Sequence, residues 1–92
     1  MLRRKNMDYV IISFRSRAHT VKFAEILTNA RIAMEIVNTP KEAGVGCGLS
    51  VKIRKEHFSI VKRYLERASL SSFAGFFLIK TIDGKRFVRN IY

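Results

Sequence analysis

Apolar positions change their spacing several times along this chain, and each change marks an element. Asp8 to Phe14 (DYVIISF) is dense in β-branched and aromatic residues and predicts a buried central strand. From Ser16, apolar residues recur at Ala18, Val21, Ala24 and Leu27, with Phe23 and Ala30 widening the stripe. That spacing predicts a helix, capped by the Ser16 hydroxyl and closed near Asn29 to Arg31. Ile32 to Val37 predicts a second strand, which Pro40 ends because proline has no N–H for a ladder.

Thr39 and Glu42 stand at capping-box spacing with Pro40 between them, predicting one helical turn at Pro40 to Ala43, broken at Gly44. Leu49 to Ile53 alternates apolar and polar, as a half-buried strand does. Lys55 to Ala68 carries Phe58, Val61, Leu65 and Ala68 at helical intervals, and Phe73 to Ile82 predicts another strand. Asp83-Gly84 is a two-residue hairpin signal, returning the chain as a charged edge strand over 85–92. The order β-α-β-β-α-β plus a terminal strand predicts an α+β ferredoxin-like sandwich with an extra C-terminal edge strand. One domain over 1–92 is expected, with its core at about 8–82 and a basic tail at 1–6.

Second and third strands in that order are antiparallel neighbours, and hairpin loops are commonly two to five residues. The segment from Asn38 to Gly48 is about twice that length and holds the only cysteine, Cys47, among three of the five glycines. A single cysteine forms no internal disulfide, which fits a reducing, cytoplasmic setting. Metal is not expected, because a structural site needs four ligands and His19 and His57 stand far from Cys47 in sequence. Both histidines read as helix-start surface residues, and Glu25 and Glu66 as solvated helix residues. The Gly44-x-Gly46-x-Gly48 run precedes no long helix, so it fails as a dinucleotide fingerprint. No stretch approaches the roughly 20 apolar residues of a spanning helix.

The residues around this loop resemble the selenium/sulfur carrier-like family of small prokaryotic domains. The resemblance rests on the strand from Tyr9, the helix with Ala18 and Glu25, the segment Thr39-Pro40-Lys41, and Cys47-Gly48-Leu49 before a strand. It covers roughly residues 9–77. It implies that Cys47 carries sulfur or selenium as a persulfide or selenosulfide, exchanged with donor and acceptor proteins, with no cofactor and no turnover on a small substrate. Gly46 and Gly48 would shape the loop with Thr39 and Pro40, and Lys41 would favour the thiolate. The chain departs from the family pattern in having Gly44-Val45-Gly46 where small polar residues commonly precede the cysteine. The segment after Asp83 lies outside the usual domain.

Charge opens two other readings. Eighteen basic against seven acidic residues give +11, a field that attracts polyanions. A nucleic-acid-binding module is the alternative function, and Phe73-Ala74-Gly75-Phe76-Phe77 loosely echoes the aromatic motif with which some such sheets stack bases. An interaction domain that dimerises through the terminal strand is the third.

Overall fold

A computed structural model describes residues 8–91. The chain forms β1 (Tyr9–Phe14), α1 (Arg17–Asn29), β2 (Glu35–Asn38), β3 (Leu49–Arg54), α2 (Phe58–Ala68), β4 (Phe73–Ile82) and β5 (Lys85–Asn90). Short 3-10 turns stand at Lys41–Ala43 and Lys55–His57. The five strands make one sheet in the order β2-β3-β1-β4-β5, every pair antiparallel. With its two helices this is an α+β fold. β1 is central, as its unbroken apolar run predicts.

Alternation sorts β1 between two apolar clusters. Val10, Ile12 and Phe14 face the helices and pack with Phe23, Leu27, Val51, Val61, Leu65 and Phe76. Ile11 faces the other way, with Phe77 and Ile79, and is covered by Val37, Ala43 and Val88. Ala43 belongs to the long loop and Val88 to β5, so the second face is roofed by the loop and bordered by the terminal strand. For this reason β3 departs at one position from the half-buried strand that its alternation predicts. Ser50 is as inaccessible as Val51, because the loop lies over it.

The Ser16 cap forms, its hydroxyl accepting from the His19 N–H at 3.2 Å. β2 is shorter than expected. Arg31 turns at φ 62° and the Ile32 N–H donates to the Leu27 carbonyl, so Ile32 and Met34 pack against the helix-side core before pairing begins at Glu35. Their apolar character serves the helix exit rather than a ladder. The helix expected from Lys55 splits into a 3-10 turn and α2. Asp83 (φ 51°) and Gly84 (φ 77°) make the hairpin turn with both central residues left-handed, as the sequence signal requires. Phe76 and Phe77 are buried on opposite faces of β4, so both serve packing rather than base stacking. The basic stretch 1–6 and Tyr92 lie outside the described residues. None of the described helices is long and apolar enough to cross a membrane.

Candidate thiol site

The loop from Thr39 to Gly48 is held by both neighbouring strands. The Thr39 N–H donates to the Gly48 carbonyl at 2.8 Å, closing the loop at its base. Beside that bond the hydroxyls of Ser13, Ser50 and Thr39 form a chain, with 2.9 Å between the first two and 2.6 Å between the last two. This corrects the expected capping box. The Thr39 side chain goes to Ser50, and Pro40 rather than Thr39 precedes the 3-10 turn, which has no side-chain cap. Burying Ser13 and Ser50 without such partners would cost about 1–3 kcal/mol per group. The loop therefore completes the interior that it covers.

Gly44 ends the turn at φ 65°, and Gly46 and Gly48 flank Cys47 at φ 93° and 95°. Gly46 comes so close to β1 that a Cβ there would lie 3.0 Å from the Phe14 carbonyl oxygen. That same oxygen accepts the Cys47 N–H at 3.0 Å. The cysteine thus continues the β3 side of the ladder one step past Ser13, the last residue of β1 paired with β3.

Cys47 is half-buried, with its Sγ turned toward the first turns of α1. The Thr20 Oγ1 lies 3.7 Å from it, and the thiol can donate to the Leu49 carbonyl at 3.6 Å. Thr20 is itself fully buried, close to the Ser16 and Leu49 carbonyls. Partial burial acts to raise the thiol pKa. Hydrogen bonding by the Leu49 backbone, the Thr20 hydroxyl and the Cys47 backbone outweighs it, with the Arg17 charge adding to them. The net result is a thiol held below its ordinary range, where more of it is thiolate near neutrality.

Two of these residues, Arg17 and Thr20, have no signal in the sequence around Cys47. They are 30 and 27 positions upstream, and only the packing of α1 against the start of β3 brings them to the sulfur. Lys41 is exposed on the 3-10 turn, where its charge bears on Glu42. Thr39, Pro40, Gly46 and Gly48 all belong to the loop that holds the thiol. β5 also reaches it. The Arg86 Nη2 donates to the Glu42 carboxylate at 3.1 Å. Hydrogen bonding by its own backbone and by Arg86 holds the Glu42 carboxyl below the usual range.

A groove of about 440 Å³ opens at the other end of β3, lined by Tyr9, Met34, Lys52 and Glu56 among others. Cys47 does not line it. Among the described residues, no three His, Cys, Asp or Glu side chains gather as a metal ion would need.

The pH dependence of the thiol follows from its lowered pKa. Alkylation rate plotted against pH should rise at a lower midpoint in the folded protein than in urea, where a cysteine titrates at about 8.5. A lowered native pKa favours the thiolate in the fold. Stability from this group is therefore full above the unfolded midpoint and is lost as pH falls through the native one. Thr20→Val and Arg17→Gln should each raise the native midpoint. Coincident folded and unfolded curves would show that the surroundings do nothing to the sulfur.

These features define a small α+β domain whose second sheet face is roofed by a glycine-rich thiol loop. The chain belongs to the family described as "Putative Se/S carrier protein-like", which matches residues 8–73. Comparison with curated proteins and with solved structures returns no match.

Proposed function

We propose that the protein carries sulfur or selenium covalently on Cys47. The observation that carries the reading is the thiol itself: accessible in part, held toward its thiolate form, and set in a loop of a chain from this carrier family. The Cys47 thiolate attacks the outer sulfur of a donor persulfide, R–S–SH. A new S–S bond forms to Cys47, the donor's S–S bond breaks, and its inner sulfur leaves as a thiolate. The transferred sulfur keeps its oxidation level, so no oxidant is required. An acceptor thiolate reverses the step by taking the outer sulfur and returning Cys47 as thiolate. A selenosulfide donor, R–S–SeH, exchanges in the same way.

The protein's own groups suit an anionic cargo. Arg17 supplies positive charge, and the Thr20 hydroxyl can donate to the inner sulfur. In this reading the protein acts as a carrier between partner proteins rather than as an enzyme with turnover on a small substrate. The strand order β2-β3-β1-β4 with helical connections after β1 and β3 supports a ferredoxin-like frame to which β5 is added.

Incubation with a cysteine desulfurase and ³⁵S-labelled cysteine tests the reading. Wild type should take up one thiol-releasable label per chain, and Cys47→Ser should remain at background. Equal labelling of both would end the proposal.

A further inference from the structure

We propose that the β4–β5 hairpin, on its helix-side face, is a stacking platform for single-stranded nucleic acid. In β5 the residues Lys85, Phe87 and Arg89 alternate onto one face, and the ladder sets Phe87 opposite Lys80 and Lys85 opposite Ile82. The face is fixed by its neighbours: Leu78, opposite Arg89, and Ile91 both pack into the helix-side core. Farther out along the hairpin nothing covers the strip. Phe87 is 51% exposed, the most of any large apolar side chain described, and Ile82 is 47% exposed. Lys80, Lys85 and Arg89 are exposed too, and none of the three has a carboxylate partner among the described residues. Arg86, on the opposite face, is instead paired with Glu42. One acidic residue, Asp83, sits at the turn.

An aromatic ring laid open between three unpaired cations has a specific chemical complement. Stacking of a base on an aromatic side chain contributes about 1–3 kcal/mol and accepts any base, while flanking cations track the phosphates. A duplex hides its base faces and offers only the second of these. The chain's net charge of +11 strengthens the attraction to a polyanion. An acidic segment without aromatic side chains would satisfy the charges and leave the ring without a stacking partner. The strip lies after residue 73, outside the family match, and it is independent of Cys47.

Fluorescence anisotropy of the full chain with labelled U12, dT12, a duplex of the same length and polyglutamate, over a salt series, tests the platform. Single strands should bind tightest, with affinity falling steeply as salt rises. Phe87→Ala should weaken single-strand binding about tenfold or more without altering the salt slope. Lys85→Gln and Arg89→Gln should each reduce that slope by roughly 0.7. About half of Phe87 is already in solvent, so the variant should melt only a few degrees below wild type and remain folded at the binding temperature. Cys47→Ser should bind like wild type, which separates this result from the carrier reading. Tighter binding of U12 than dT12 would identify RNA as the occupant, and the reverse DNA. Absence of binding at low salt, an unaffected Phe87→Ala variant, or duplex or polyglutamate bound as tightly as U12 would overturn the proposal.

Discussion

Phe14→Ala should destabilise the protein by about 3–5 kcal/mol, a large part of the roughly 5–15 kcal/mol that small domains possess. The ring is fully buried, makes an edge contact with Phe73 at 6.1 Å between centroids, and tilts against Phe23 at 5.7 Å. It also meets the His19 ring edge-on at 6.5 Å. Truncation loses the transfer energy of the ring and leaves a cavity between β1, α1 and β4 that these stiff neighbours cannot close. The effect should reach the thiol as well, because the Phe14 carbonyl is the anchor for the Cys47 N–H. Urea unfolding measures the first consequence and the alkylation midpoint the second. Phe14→Leu, which keeps most of the volume, should lose much less stability and leave the midpoint near wild type. A Phe14→Ala protein as stable as wild type would mean that this end of the core is not close-packed.

Gly46→Ala should cost about 1–3 kcal/mol and disturb the setting of the thiol more than the same change at Gly48 does. Two penalties coincide there. The backbone is held at φ 93°, where L side chains are strained, and the new Cβ would meet the Phe14 carbonyl oxygen at 3.0 Å. That neighbour is central-strand backbone and cannot yield, so the loop must lift and stretch the Cys47 to Phe14 hydrogen bond. The thiol midpoint should then move back toward its ordinary value. Gly48→Ala is the control. It shares the strained φ of 95° but has open space where its Cβ would stand, so it should cost backbone strain alone. Equal losses for the two variants, with no change in either midpoint, would show that the close approach at Gly46 does not set the thiol's position.

Element types were legible in the sequence because local pattern decides them. The run from Tyr9 to Phe14, the Ser16 cap, the β4 boundaries and the Asp83-Gly84 turn each follow from residues within a few positions of one another. Errors fell where an apolar or polar residue served something distant. Ile32 and Met34 read as strand but pack around the end of α1. Ser50 reads as a solvent-facing alternate and is buried under the loop, and Thr39 reads as a helix cap but bonds Ser50 instead. In each case a residue's partner comes from another element, which spacing along the chain does not encode.

The sequence by itself determined the α+β order, the overlong loop, and the place of its thiol, Cys47, between glycines, since glycine crowding and a solitary cysteine are local facts. Tertiary structure alone decided what surrounds that atom. It laid the loop across the second face of the sheet, tied it to β5 through Arg86 and Glu42, and brought Arg17 and Thr20 from α1 to the sulfur. Thiol acidity is set by charges and donors within a few ångströms, and strand pairing, not sequence distance, determines which residues those are.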